Sequence, residues 1–283
     1  MYFFTAGCHK MFGCLHSPAH SPRLGVVFCS SLHSEFVKNY RREVLAARAL
    51  AEHGIAVQRF HYCGTGNSYG DSTAVSFDTL QSDTLDAVEE LRGRTGVAHI
   101  GFLGVKWGGL VAAAASCQFP GAPLVLWEPT LQAKQIFRDA IRARAIHALS
   151  EGQTGSAADP LVDELDRVGF IEVLGYEMHR AFFESARERS LLAEIGNTVH
   201  PMLIVQLQGR QLRSDVGRFV AVLEELGNRV ETKVVPLRES WWFAGERWEA
   251  DEVRPETQGL IETTVSWLER QLSSFATDGS KRT

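Results

Sequence analysis

The sequence predicts an α/β fold, with a mostly parallel, doubly wound sheet and helices on both of its faces. Apolar runs of strand length alternate with stretches of helical spacing along the first half of the 283-residue chain, and this alternation is typical of parallel sheets. Apolar residues form 45% of the chain, which is enough for a sizeable core. A strand, a tight glycine turn and a small-residue helix follow one another between residues 97 and 116.

The order of the elements supports this fold class. Strands, the first two forming a hairpin, are predicted at 2–5, 11–16, 24–30, 55–61, 97–103, 123–127, 201–207 and 230–236. Helices are predicted at 35–53, 77–92, 110–116, 132–149, 216–226 and 256–272, and further helical pattern at 169–178.

One stretch, residues 130–196, interrupts the alternation. We predict that it forms a helical cap inserted into a core made of residues 1–129 and 197–272, with a flexible tail at 273–283. A cap over the carboxyl edge of the sheet would exclude water from a site there.

The bulk composition excludes several classes of function. The net charge is −5 with no basic block, so we expect no nucleic-acid partner. No apolar run is long enough to span a bilayer. Five cysteines, an odd number without framework spacing, predict a reducing, cytoplasmic location. The sequence leaves a homodimer open.

The glycine turn has the frame of a nucleophile elbow. In this G-x-S-x-G motif the middle residue points into an active site from a strained strand-to-helix turn. Gly104, Gly108 and Gly109 keep the frame, and Lys106 stands at the middle position. We therefore expect the backbone geometry of a nucleophile elbow, with a lysine at the position of the serine.

With these features, the chain resembles the α/β-hydrolases over nearly its whole length. It is most similar to the bacterial group called exosortase A system-associated hydrolase 2. The matching stretches are GTGNS at 64–68, LWEP at 126–129, EVLGY at 172–176 and WWF at 241–243. The resemblance implies an α/β-hydrolase fold and a basic residue at the position of the serine, but little about the substrate.

A serine hydrolase needs a nucleophile, a base and an orienting acid, here expected in the chain order Ser, Asp or Glu, His. The loop after the strand at 201–207 offers only Asp215, which stands late for that role. No histidine follows His200. We therefore expect no ordinary Ser-His-Asp hydrolysis.

Lys106 has three interpretations. It is a structural cation in a retired site, paired with a carboxylate such as Glu239, because an unpaired buried charge is costly. Alternatively, it completes an anion or carbonyl site with the backbone N–H groups and the helix dipole of the elbow. In the third interpretation burial makes the amine neutral, so that it acts as a base or forms a Schiff base.

Four other residues are candidates for ligand contact. Ser31 follows an early strand, where an oxyanion loop is expected, or is an ordinary loop serine. Glu128 ends a strand and either faces the site or caps the next helix. Trp107 and Trp241 either line a pocket or pack the cap onto the sheet.

The remaining reactive residues give weaker patterns. Cys63 is an alternative nucleophile, and His33 or His61 could supply a base from a new position. We expect no metal, because the cysteines and histidines at 8–20 match no zinc spacing. We expect no cofactor either, because Gly64 and Gly66 lack the third glycine and the acidic residue of a dinucleotide site.

The sequence thus predicts a divergent hydrolase-like protein that keeps a pocket for a small acyl or carbonyl compound. Lys106, with Glu239, is the predicted centre, and whether a reaction occurs is left open. The alternative is an inactive pseudo-hydrolase that acts as a binding or interaction scaffold. A pocket around Lys106 favours the first prediction, and a filled interior favours the second.

Overall fold

The structure, a computed structural model, describes residues 1–7, 9–139, 142, 160–173, 175–237 and 255–279. The strands, in chain order, are β1 (Tyr2–Ala6), β2 (His9–His16), β3 (Leu24–Cys29), β4 (Ile55–Phe60), β5 (His99–Val105), β6 (Leu124–Trp127), β7 (Phe170–Val173), β8 (Tyr176–His179), β9 (Pro201–Gln206) and β10 (Arg229–Val234).

The helices are α1 (His33–Glu52), α2 (Phe77–Thr95), α3 (Gly108–Ser116), α4 (residues 133–139), α5 (Pro160–Val168), α6 (Arg180–Ala186), α7 (Leu191–Ile195), α8 (Ser214–Glu225) and α9 (Pro255–Gly279). A short 3₁₀ turn covers Ser72–Ala74. Among the described residues, no helix is both long and apolar enough to cross a membrane.

One large sheet has the strand order β1-β2-β4-β3-β5-β6-β9-β10. The β1–β2 and β2–β4 pairs are antiparallel. The other neighbours in this sheet, β4-β3-β5-β6-β9-β10, all pair in parallel. The predicted α/β class and the N-terminal hairpin are confirmed. Because the parallel strands share a direction, the loops after β3, β5, β6 and β9 meet at one edge, where α/β sheets bind ligands.

Two apolar layers cover the sheet. Helices α2, α3 and α8 pack on one face, and α1 and α9 pack on the other. Strand β3 shows why, since Val26 and Phe28 face one layer while Val27 and Cys29 face the other. Side chains alternate along a strand, so a strand buried on both faces is a continuous apolar run.

The predicted helical pattern around 169–178 is wrong. Strands β7 and β8 form an antiparallel hairpin there, separate from the main sheet. Ile171 and Met178 face each other across the pair and are both buried, while Gly175, at φ 81°, supplies the turn. Apolar residues in alternation fit a strand better than a helix in so short a stretch.

The predicted C-terminal helix is too short, and the helix predicted at 132–149 is described only in part. Helix α9 continues to Gly279 and does not end at residue 272. Of the helix predicted at 132–149, residues 133–139 and 142 are helical, and the other positions beyond 139 lie outside the described residues.

Candidate functional site

The strand-turn-helix unit at Lys106 has the geometry that its glycines predict. Strand β5 ends at Val105 and helix α3 begins at Gly108, while Lys106 lies in the left-handed region at φ 49°. A Cβ at Gly104 would lie 2.6 Å from the Gly108 carbonyl oxygen. A Cβ at Gly108 would collide with the Cys29 carbonyl and lie 2.7 Å from that of Ser30. Glycine at both positions therefore lets α3 touch the end of β3.

Backbone strain is concentrated at this edge of the sheet. Within the described residues, the non-glycine residues with positive φ are His33 (53°), Lys106 (49°) and Glu128 (44°). They follow β3, β5 and β6, which are neighbours in the sheet. The left-handed conformation costs a residue with a Cβ roughly 1–2 kcal/mol. Strain of this kind clusters at active sites and ligand clamps.

All three strained residues line one cavity of about 540 Å³. Apolar walls come partly from β7, β8 and α6, through Val173, Tyr176, Met178 and Phe182. The polar residues of the lining are Ser31, His33, Ser34, Glu35, Lys38, Lys106, Glu128, Thr130, Gln135, Asp139, Gln208, Arg213 and Asp215. The cavity is therefore polar around the strand ends and apolar against the 160–196 segment.

The cavity brings together five of the candidate residues that the sequence analysis selected. Its lining contains Ser31, His33, Lys106, Trp107 and Glu128. Glu239 and Trp241 lie outside the described residues, so their roles stay predictions.

Lys106 pairs with a carboxylate that the sequence did not indicate. Its Nζ atom lies 2.9 Å from Glu35 Oε2, and the two side chains are 28% and 29% exposed. Glu35 Oε1 lies 2.9 Å from Lys38 Nζ. Burial raises the pKa of Glu35, but Lys106 and Lys38 outweigh burial, so the pKa of this carboxyl is below its ordinary value. Glu35 is thus a carboxylate at neutral pH, bridging two ammonium groups.

The only sequence signal for Glu35 is its place in the first turn of α1. Acidic residues are common there because they favour the helix dipole. That signal explains the residue type, but it does not indicate contact with a residue 71 positions later.

Glu128 is held by donors from the neighbouring strand end. Its Oε2 accepts hydrogen bonds from the backbone N–H groups of Leu207 and Gln208, the latter at 3.1 Å. Its Oε1 accepts from Arg213 Nη1, and Arg213 Nε donates to Asp215 Oδ1 at 3.2 Å. Because both carboxylate oxygens are occupied, Glu128 fastens β6 to the loop after β9.

Ser31 and Trp107 are each 3% exposed. The Trp107 ring packs against Phe77, Phe137 and Phe182, with centroid distances of 6.2, 6.3 and 5.0 Å. Its Nε1 is buried and has no acceptor among the described residues. A buried donor without a partner is destabilising, so this unpaired N–H group lowers the stability of the fold.

The two candidate histidines have different surroundings. His33 lines the cavity, and burial, followed by nearby His179, lowers its pKa to about 4. Burial and then Arg59 lower the pKa of His61 to about 4 as well. Both rings are therefore neutral at pH 7. His61 is outside the cavity lining, and its Nδ1 accepts a hydrogen bond from the Asn67 backbone N–H at 3.0 Å.

The glycine loop at 64–70 is explained by His61. A Cβ at Gly66 would lie 2.5 Å from His61 Nδ1, and one at Gly64 would lie 2.6 Å from the Asp71 carbonyl oxygen. Both glycines have positive φ. Cys63, at the start of this loop, donates its backbone N–H to Asp83 at 2.7 Å and is not part of the cavity lining. The loop therefore folds closely around the buried His61 ring and has a structural role.

No protein-family model matches the chain, and no curated protein sequence matches it. Solved structures do resemble it. Est1E from Butyrivibrio proteoclasticus, with ferulic acid bound, has a TM-score of 0.67 at 16% identity over 96% of this chain and 100% of that one. The chain has the α/β-hydrolase fold.

Two further structures have this fold. A putative hydrolase from Agrobacterium vitis S4 has a TM-score of 0.61 at 15% identity, covering 94% of this chain and 97% of that one. An α/β serine hydrolase homologue from Coxiella burnetii has a TM-score of 0.55 at 14% identity, covering 94% and 95%. In the α/β-hydrolase fold the nucleophile elbow is a strained turn between a strand and a helix, and the turn between β5 and α3 is of this strand-turn-helix kind. At identities this low, the similarity establishes a shared fold and does not establish a shared function.

Proposed function

We propose that this chain is a divergent α/β-hydrolase-fold protein that binds a small acyl or carbonyl compound without Ser-His-Asp hydrolysis. The Lys106 ammonium at the elbow holds the ligand's oxygen. The observation that carries the proposal is the convergence of three strained residues, His33, Lys106 and Glu128, on one cavity. A retired site would be expected to relax such strain, because mutation can remove it without loss of function.

The absence of serine hydrolysis is supported by the residues present. The elbow position holds Lys106, and no histidine follows His200 in the sequence. Asp215 belongs to the first turn of α8 and pairs with Arg213. The neutral His33 ring packs against Tyr176 and Phe182, each at a centroid distance of 5.9 Å. Among the residues described here, these contacts indicate no relay of a serine, a histidine and an acid.

Lys106 is better suited to binding than to amine catalysis. The Lys106 Nζ atom forms an ion pair with the Glu35 carboxylate 2.9 Å away, whereas a Schiff base requires a neutral amine that is free to attack a carbonyl. An ammonium group donates strongly to a carbonyl or carboxylate oxygen. This supports the anion or carbonyl interpretation over the catalytic one.

The elbow also favours an acyl oxygen. In α/β-hydrolases the N–H after the elbow residue and an N–H from the loop after an early strand form the oxyanion hole. Here those positions belong to Trp107 and to the loop at 30–32, and Gly108 holds α3 against Ser30. Est1E, a protein of the same fold, has ferulic acid bound, which suggests ferulate esters as probes.

The resemblance to exosortase A system-associated hydrolase 2 belongs to this proposal, since it implies a basic residue at the elbow. A cytoplasmic location also stays part of the proposal. We include neither a cofactor nor a metal in it.

Titration calorimetry with methyl ferulate tests the function. We expect saturable binding to the wild type and affinity at least about tenfold lower in Lys106→Met, because a charge-assisted hydrogen bond is lost. Lys233→Met is the matched control, since Lys233 is exposed on β10 and outside the cavity. Chromatography of the same mixtures should show no ferulate released.

Three results would contradict the proposal. They are release of ferulate, labelling of a serine near the elbow by a fluorophosphonate, and equal affinity in the wild type and Lys106→Met. Absence of binding to any acyl probe would favour the scaffold alternative.

A further inference from the structure

The carboxylate of Glu35 lies where a ligand oxygen would meet Lys106. Its Oε2 atom is 2.9 Å from Lys106 Nζ, and Glu35 and Lys106 both line the cavity. The two residues come from different elements, Glu35 from the start of α1 and Lys106 from the elbow. The Glu35 carboxylate therefore already contacts Lys106, the cation that binds the ligand in the proposed function.

Glu35 can give up this contact without losing its charge partner. Its other oxygen, Oε1, lies 2.9 Å from Lys38 Nζ, one turn along the same helix. Breaking a buried ion pair is costly when it leaves one charge uncompensated. Because Lys38 stays beside Glu35, a second carboxylate at Lys106 would leave no anion unpaired.

The surroundings suit a negatively charged ligand with an apolar body. Lys106, in the lining, is a cation that the Glu35 carboxylate already contacts. Val173, Tyr176, Met178 and Phe182 provide an apolar wall of the same cavity. A carboxylate accepts at both oxygens and carries the charge that matches an ammonium, whereas a neutral carbonyl offers one oxygen.

We infer that the ligand of this site is an apolar monocarboxylate whose carboxylate replaces that of Glu35 at Lys106. The inference rests on the proposed function and names the substrate class for the same cavity. Glu35 is then a positioning residue that keeps Lys106 in place when no ligand is bound.

Calorimetry with trans-cinnamate and its neutral analogue cinnamamide tests the inference. In the wild type we expect cinnamate to bind at least about tenfold more tightly, because its hydrogen bond to Lys106 is between charged groups. Glu35→Gln removes the competing carboxylate, so cinnamate affinity should rise about fivefold, the effect of a partly exposed ion pair.

A double variant separates competition at Lys106 from a general charge effect. If Glu35 competes for Lys106, Glu35→Gln gives no gain in a Lys106→Met background, whereas a general loss of negative charge would still raise cinnamate affinity. Glu89→Gln is the matched control, because Glu89 forms an i,i+3 pair with Arg92 outside the cavity. Thermal unfolding verifies that each variant is folded.

Equal or tighter binding of cinnamamide in the wild type would overturn the inference, and so would a gain from Glu35→Gln that survives in the Lys106→Met background. If Glu35→Gln does not fold, the ratio of the two affinities in the wild type decides alone. Lys106-dependent binding of methyl ferulate without a preference for cinnamate would leave the proposed function standing and refute only the monocarboxylate.

Discussion

Replacing Lys106 by glycine and by alanine separates backbone strain at the elbow from the ion pair. Both variants lose the contact between Lys106 Nζ and Glu35 Oε2. Only glycine adopts φ 49° without the clash of its own Cβ. The difference in stability between the two variants therefore measures the strain that the elbow imposes.

The magnitude follows from two opposing effects. Relief of the left-handed conformation favours Lys106→Gly by roughly 1–2 kcal/mol. The greater freedom of glycine in the unfolded chain opposes it by roughly 0.5–1 kcal/mol. We expect Lys106→Gly to be more stable than Lys106→Ala by about 0.5–1 kcal/mol. At an ordinary strand position the sign is reversed, so Lys233→Gly should be less stable than Lys233→Ala.

Urea unfolding followed by circular dichroism provides the four free energies of unfolding. The expected result is opposite signs at positions 106 and 233. If Lys106→Gly is less stable than Lys106→Ala by the same amount as the pair at Lys233, the elbow carries no strain, and the argument from strain to function fails.

Two further predictions concern the frame of the site. Gly108→Ala should lower the free energy of unfolding by about 3 kcal/mol or more, because the added methyl group overpacks against Cys29 and Ser30. The control Gly93→Ala in α2, which has open space around it, should raise the free energy of unfolding by roughly 1 kcal/mol. Equal effects of the two substitutions in urea unfolding would contradict the close contact at Gly108. Burial raises the pKa of Glu43 to about 6, although Arg59 and Ser30 act in the opposite direction. The folded state therefore holds this proton more tightly than the unfolded state. As the pH rises from 4.5 to 6, the free energy of unfolding should fall by on the order of 2 kcal/mol. Glu43→Gln should remove that part of the slope, and an unchanged pH profile of urea midpoints would refute the assignment.

Local patterns predicted most of the fold. Strand and helix order, the N-terminal hairpin and the elbow follow from apolar spacing and from glycines that act on their immediate neighbours. The hairpin at β7 and β8 was missed because strand and helix patterns are hard to separate in four-residue runs. Its turn at Gly175 was the available signal.

The site was predictable only in part. Lys106 and Trp107 belong to the elbow motif, and Ser31 and Glu128 were found because they follow strands at the same edge. Glu35 was missed because its contact with Lys106 depends on how the start of α1 lies against the turn after β5, which no spacing in the sequence encodes. His61 could not be excluded from the sequence, since its role is set by the loop that folds around it.

The central claim is that Lys106 holds the ligand's oxygen, and reductive methylation with formaldehyde and cyanoborohydride tests it most directly. Labelling at Lys106 and Lys233 is quantified by mass spectrometry across a titration with methyl ferulate. The account predicts that Lys106 is protected as the site fills while Lys233 is not. Equal labelling of Lys106 in the free and saturated protein would show that the ligand does not meet this residue.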